Sequence, residues 1–192
     1  MIAEKTSLDK SILREKALLA RAGLNIKQKK AAEKKAANNF LNYISLEKNQ
    51  IIAVYYPINN EINCLGLVEN LREKNYKICL PVVIKKDAPM VFRLWQKGDK
   101  LTPDLTKTLA PNTNATKINP DIIIMPLVAF DKNGARLGYG KGYYDRTIAN
   151  MKNKPLLVGY AFSIQELDKI KQDVYDVPLD YIVSEDGVRK II

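Results

Sequence analysis

Histidine is missing from all 192 residues. Its absence removes Ser-His-Asp and Cys-His nucleophilic catalysis, imidazole acid-base chemistry and every His-ligated zinc site. Cysteine is scarce: Cys64 and Cys79 stand without a Cys-x-x-Cys spacing, and a chain of this length buries enough surface to need no disulfide staples. Both are expected as reduced core thiols of a cytoplasmic protein. Long hydrophobic runs are lacking too. The longest, Ile122–Phe130, contains Pro126 and is far short of the ~20 apolar residues that cross a bilayer. Glu4 and Asp9 precede any apolar stretch, so neither a membrane span nor a targeting segment is expected.

What is present fits a globular domain: 46% hydrophobic and 27% charged residues, with no repeat or low-complexity tract. One domain spanning 1–192 is expected. Positive charge dominates, with 31 Lys and Arg against 21 Asp and Glu, a net of +10. Such a surface attracts anions without naming them. Residues 1–50 hold eleven of the cations and five of the acids. A solvated helix face explains Lys27, Lys29, Lys30, Lys34 and Lys35 more simply than a docking patch. Nucleic acid and phosphorylated small molecules both stay open at this point.

Apolar residues at near-helical spacing predict a helix over 7–22, with Ser7 as N-cap and Gly23 as stop. Asn25 with Gln28 three positions on forms a capping-box pattern, opening a second helix to about Leu46. Strands are expected over 51–56, 77–84, 90–95, 121–125, 156–162 and 181–183, and helices over 65–74, from Tyr144 to Met151 and from Ser163 to Ile170. Residues 98–120 carry Pro103, Pro111 and Pro120 and read as a long irregular loop. The β-branched run at 121–125 belongs at the centre of a sheet buried on both faces. Alternating strands and helices predict a single three-layer α/β/α sandwich, Rossmann-like, with a mostly parallel, mixed sheet and helices on both faces.

The informative segment is Arg136-Leu137-Gly138-Tyr139-Gly140-Lys141-Gly142-Tyr143-Tyr144-Asp145-Arg146. It follows the central strand and leads into a helix, where open α/β sheets bind ligands. Glycines at alternate positions let successive backbone N–H groups face an anion. Arg136 and Lys141 add full charges, and Asp145 offers the oxygen that a Mg²⁺ on the same phosphates needs. A Walker A loop is excluded because Ala135 stands five before Gly140 and Gly142 follows Lys141; a dinucleotide fingerprint is excluded by Tyr143. Elsewhere, Lys10 and Arg14 share a helix face at i, i+4, as a solvated pair or a phosphate clamp. Glu61 is either a surface carboxylate or an acceptor for the N–H groups of a planar heterocycle. Tyr56 and Trp95 either pack in the core or stack on such a ring.

The glycine segment resembles the ATP-binding signature of the 5-formyltetrahydrofolate cyclo-ligase (5,10-methenyltetrahydrofolate synthetase) family over its full length. The resemblance extends to Lys10-Ser11-Ile12-Leu13-Arg14, to Tyr56-Pro57 with Glu61, to Met90-Val91-Phe92, to the stretch from Asp121 to Asp131, and to Asp176-Val177-Pro178-Leu179-Asp180. Two positions depart from the family pattern: Tyr175 stands where bacterial members usually carry His, and Ala110 precedes Pro111 where Glu or Gln is common.

The resemblance implies an ATP-dependent ligase of one-carbon metabolism. In that reaction ATP phosphorylates the formyl oxygen of 5-formyltetrahydrofolate. Phosphate then leaves as the ring closes, giving 5,10-methenyltetrahydrofolate and ADP. Such chemistry needs positioning and charge neutralisation rather than a protein nucleophile. The resemblance also implies that Lys10, Arg14 and the run from Arg136 to Tyr144 bind ATP, with Lys141, Arg136 and Tyr144 nearest the chemistry. Tyr56 and Glu61 then bind the folate, and Asp145 and Asp176 hold Mg²⁺. Small molecules are the expected partners, with no nucleic acid, membrane or obligate protein among them. A basic nucleic-acid-binding module and a sugar-phosphate or nucleotide enzyme of similar architecture are the competing readings.

Overall fold

A computed structural model describes residues 2–191. The helices are α1 (Ile2–Ala22), α2 (Ile26–Tyr43), α3 (Leu65–Glu73) and α4 (Tyr143–Ala149). The strands are β1 (Ile51–Ala53), β2 (Lys77–Val82), β3 (Val91–Leu94), β4 (Leu101–Pro103), β5 (Leu109–Pro111) and β6 (Ile122–Pro126). After them come β7 (Ala129–Asp131), β8 (Arg136–Leu137), β9 (Leu156–Tyr160), β10 (Glu166–Leu167), β11 (Tyr181–Ser184) and β12 (Gly187–Lys190).

Seven strands form one sheet in the order β12-β11-β9-β6-β1-β2-β3. The five inner strands pair in parallel, and β3 and β12 close the edges antiparallel. The run Ile122–Met125 occupies the middle, each residue at most 1% exposed, because a parallel strand covered on both faces must be apolar throughout. Period-two alternation splits the core. Ile52, Ile78, Leu80, Ile122, Ile124 and Val158 face Phe40 of α2 and Leu67 and Leu71 of α3. Ala53, Cys79, Ile123, Met125, Leu157 and Ile182 face Ile148 of α4. Each fully buried aliphatic side chain contributes roughly 1.5–3 kcal/mol, so both helix layers are held by the sheet rather than by helix propensity. The expected three-layer α/β arrangement is present.

Helix α1 packs elsewhere. Ala17 sits with Val128, Ala129, Ala135 and Leu137 on a small sheet ordered β10-β7-β8. The chain fills β1, β2 and β3 toward one edge, and β6, β9 and β11 toward the other. The order therefore reverses between β1 and β6, and the loops leaving the carboxyl ends of those two strands frame the crevice where α/β folds bind ligands.

Several expectations need correction. Helix α1 begins before Ser7, which is therefore not its N-cap. The capping box at Asn25 and Gln28 forms as expected, with reciprocal bonds of 2.9 Å. The stretch 98–120 is not wholly irregular: β4 and β5 form a short hairpin there. No helix runs from Ser163 to Ile170. A 3-10 turn at Ser163–Gln165 gives way to β10, which pairs with β7, and the Gln165 amide donates to the Leu127 and Val128 carbonyls at 2.6 and 2.9 Å. Buried carbonyls need such donors, and that of Leu127 also takes one from Arg21. The β7–β8 and β11–β12 hairpins are further elements beyond the sequence reading. Cys64 and Cys79 are free and buried. Among the described residues, no helix is long and apolar enough to cross a membrane.

Candidate active site

The loop after β1 turns through Asn59 and Asn60 at φ 48° and 62°, left-handed values that asparagine tolerates better than most residues. That turn folds Glu61 back: its N–H donates to the Ile58 carbonyl and its Oε2 accepts from the Ile58 N–H, each at 2.9 Å. The Tyr55 hydroxyl pins the far side by donating to the Ile62 carbonyl at 2.5 Å. Glu61 is thereby 7% exposed. Burial pushes its carboxyl up to about 7, against the opposing pull of the Ile58 N–H, the Arg21 charge and the Tyr139 hydroxyl.

Arg21, near the end of α1, is 1% exposed. Its Nη1 donates to the Leu127 carbonyl at 3.3 Å, and its Nη2 donates to the Asn59 carbonyl at 2.8 Å and the Tyr139 hydroxyl at 2.9 Å. One guanidinium thus joins α1, the loop after β1, the loop after β6 and the glycine segment.

The glycine segment is positioned by the β7–β8 hairpin. Asp131, 1% exposed, accepts N–H groups from Asn133 and Ala135 on Oδ1 and from Ile170 on Oδ2. The chain then passes Arg136 and Leu137 into the turn. Gly140 and Gly142 adopt φ +87° and +63°, conformations that disfavour side chains. A Cβ on Gly142 would lie 2.7 Å from the Arg146 Nη1, and one on Gly140 would lie 3.4 Å from the Arg14 guanidinium. Arg14 lies across this loop, its Nε donating to the Gly138 carbonyl at 2.8 Å.

Charged pairs line the adjoining rim. Lys10 Nζ donates to Asp173 Oδ2 at 2.8 Å and to Asp176 Oδ2 at 2.7 Å. Burial works against the Lys10 charge, yet the two aspartates outweigh it and hold its pKa above the ordinary value. Burial likewise raises Asp176, but the Asp173 N–H, Lys10 and Arg136 outweigh it, so the carboxyl sits below its usual range. Arg136 Nη2 donates to Asp145 Oδ1 at 2.6 Å, while Arg136 Nη1 is buried without an acceptor. The Val177 N–H also reaches Asp145 Oδ1, at 3.3 Å, which brings Asp145 beside the chain neighbour of Asp176.

Lys10, Arg14, Glu61, Arg136, Asp145 and Asp176 are therefore linked through α1, the glycine segment and the 173–177 turn, in changed company. Lys10 and Arg14 do not pair with each other: Arg14 lies on the glycine loop, whereas Lys10 holds the 173–176 turn. Tyr139 belongs to the glycine loop, but its hydroxyl faces Arg21 and Glu61. Tyr144 is half-buried; burial, then the charge of Glu61, holds its phenol protonated far above the ordinary range, against the opposing Arg136 charge. Tyr56 is half-buried and Lys141 is exposed at the loop. Trp95 falls outside the cleft. Its N–H bonds the Ile78 carbonyl at the opposite end of β2, and its ring stacks with Arg72, 4.2 Å from the guanidinium carbon to the ring centroid. Arg21 and Gln165 are two buried polar residues next to the site that sequence reasoning did not single out. An arginine on an amphipathic helix reads as solvated, and only contacts 38 to 118 positions away reveal otherwise.

The sequence model of the 5-formyltetrahydrofolate cyclo-ligase family matches residues 6–185. The chain belongs to this family. The 5-formyltetrahydrofolate cyclo-ligase of Haemophilus influenzae is 33% identical over 165 residues, covering 83% of this chain and 88% of the relative. That of Escherichia coli K12 is 30% identical over 174 residues, covering 88% and 96%. Solved 5,10-methenyltetrahydrofolate synthetases share the fold. The Aquifex aeolicus structure superposes with a TM-score of 0.81 at 31% identity, covering 95% of this chain and 92% of its own. The Mycoplasma pneumoniae structure gives 0.75 at 26%, covering 92% and 99%. Every cleft residue of this cyclo-ligase family member, from Lys10 to Val177, falls inside the matched span.

Proposed function

We propose that this chain is a cytoplasmic 5-formyltetrahydrofolate cyclo-ligase acting as a single domain over 1–192: ATP phosphorylates the formyl oxygen, the adjacent folate nitrogen attacks the formyl carbon, and phosphate leaves as the ring closes. One observation carries the division of labour within the cleft. A buried carboxylate, Glu61, lies within reach of the hydroxyl of Tyr139 on the glycine loop, so an acceptor for heterocycle N–H groups and a ring of phosphate-binding donors share one crevice.

Lys141, Arg14 and the backbone N–H groups of the 138–142 turn take the triphosphate, together with the Arg136 Nη1 that has no acceptor of its own. A buried unpaired donor costs about 1–3 kcal/mol, and a phosphoryl oxygen removes that cost. Because phosphoryl transfer relies on positioning and charge neutralisation, cations fixed before binding lower the barrier without further reorganisation. Tyr144, protonated and under the influence of both Glu61 and Arg136, donates to the formyl oxygen. Tyr56 flanks the ring. Glu61 accepts the pterin N–H groups, which is recognition that an uncharged isostere cannot repeat.

Asp145 and Asp176 suit Mg²⁺. Their hydrogen bonds use Oδ1 of one and Oδ2 of the other, leaving the second oxygen of each clear of those bonds. Two carboxylates with phosphates and water make up the coordination that Mg²⁺ favours. When bound there, it supplies charge neutralisation on the nucleotide.

Purified protein given ATP, Mg²⁺ and 5-formyltetrahydrofolate should generate methenyl absorbance in step with ADP release. In Glu61→Gln, folate-dependent turnover should collapse while nucleotide affinity, measured by titration, stays intact. A variant that weakened ATP and spared the folate constant would reverse the assignment of Glu61.

A further inference from the structure

We infer that Arg21 is a positioning residue that fixes the Glu61 carboxylate against the glycine loop, so that the folate end and the nucleotide end of the cleft are set by one side chain. The inference rests on the reading of Glu61 as the folate acceptor. A fully buried guanidinium normally carries a carboxylate partner. The three bonds of Arg21 go instead to two carbonyls and a phenol, none of which neutralises it. Its charge is left to act on Glu61. The bonding also fixes a direction: the Tyr139 hydroxyl accepts from Arg21 Nη2 at 2.9 Å, so its own proton is free to point to the Glu61 carboxylate within reach. Arg21 therefore acts on Glu61 twice, by charge and through the orientation of a hydroxyl carried on the loop that binds phosphate.

Other groups around Glu61 do not duplicate this. Tyr55 and Cys64, in the loop between β1 and α3, and Tyr144 of α4 all sense its charge, and all are raised first by burial, so they remain neutral. Arg21 is the cation acting on Glu61, and Tyr139 is the hydroxyl that lowers its carboxyl alongside it.

The test is the acid limb of kcat/KM for 5-formyltetrahydrofolate, which reports ionisations of the free enzyme. In the unaltered protein it should lie near pH 7, where Glu61 titrates. Arg21→Met should move it upward by roughly one unit or more, the scale set by loss of a nearby opposite charge. Arg21→Lys should move it less, and Tyr139→Phe should give a smaller upward shift. A folded Arg21→Met whose melting temperature falls but whose limb stays put would make Arg21 a structural support only and overturn the inference. If Arg21→Met does not fold, Tyr139→Phe decides, because its half-exposed ring keeps its packing; an unmoved limb there overturns the inference equally. Glu61→Gln separates the two levels. A limb that persists in Glu61→Gln does not belong to Glu61 and removes the parent reading. A limb that vanishes there yet stays fixed in Arg21→Met and Tyr139→Phe removes only the role of Arg21.

Discussion

The two ends of the cleft hold their cations in opposite ways. At the Glu61 end a single buried guanidinium faces carbonyls and a phenol. Along the rim, Lys10 and Arg136 face carboxylates directly, with side chains 10% and 8% exposed against partners at 26% to 55%. Neutral partners cannot be exchanged for an incoming anion without losing the fold around them. Carboxylate partners can be exchanged, since phosphate competes for the same N–H donors. On the function proposed above, the difference separates a fixed half for the planar ligand from an exchangeable half for the charged one.

The largest expected effect breaks the exchangeable half. Arg136→Met removes the donors meant for phosphate and leaves Asp145 without its cation. The kcat/KM for ATP should fall roughly a hundredfold, and stability should fall by about 2–3 kcal/mol, as for a largely buried pair that loses one member. Folate affinity, measured by fluorescence titration, should change little. An unaltered ATP constant would remove Arg136 from the phosphate site.

Next in size is a difference in pH response. Glu61 has a folded pKa of about 7 against an ordinary 4.5. Its contribution to stability is therefore fully present below 4.5 and is lost as pH rises through 7. Asp176 runs the other way: lowered when folded, it contributes above its ordinary 3.8, and that contribution fades as pH falls through its folded value. Lys10, raised, contributes until pH climbs past 10.5. Between pH 5 and 8 the rim is thus flat and the Glu61 end slopes. Denaturant titrations across that window should show stability falling by up to about 3 kcal/mol, and Glu61→Gln should level the profile. A slope that survives in Glu61→Gln belongs to another group.

Lys10→Met is expected to act more weakly. The 173–176 turn loses its cation, and ATP affinity should fall about tenfold, the worth of one partly exposed charge-assisted contact. Added salt should reproduce part of that loss, because exposed pairs are screened. Folate affinity at the enclosed Glu61 end should hardly respond. Equal salt dependence for both ligands would erase the contrast between the two ends.

How far the sequence reveals these arrangements depends on how local they are. The capping box at Asn25 and the glycine segment were legible because their geometry is set within a few residues. The central strand was legible because burial on both faces demands an unbroken apolar run. Ser163–Ile170 misled because its spacing suits a helix, while the needs of the Leu127 and Val128 carbonyls and the edge of β7 take priority. The β4–β5 hairpin was hidden by three-residue strands ending in Pro103 and Pro111. The bonds of Lys10 to aspartates more than 160 positions away leave no local trace. Its helix face read as a solvated pair with Arg14 or a phosphate clamp, and nothing named the aspartates.

The smallest expected effect concerns Tyr175, one of the two positions read above as departing from the family pattern. Tyr175 and Val174 are 86% and 96% exposed, at the tip of a turn whose base is closed by the Asp173 N–H donating to Asp176 Oδ2 at 2.8 Å and by the bonds of both aspartates to Lys10. The turn is therefore held by its flanking carboxylates, and the phenol points away from the bonds that shape the rim. A side chain this exposed contributes within about 0.5 kcal/mol to stability. Tyr175→His should leave the melting temperature and both substrate constants within about twofold of the starting protein, with the acid limb of the pH profile unmoved because Glu61 is untouched. A new ionisation in the profile of Tyr175→His, or a several-fold gain in turnover, would show that the tip folds onto the bound nucleotide and that the rim extends beyond Asp176.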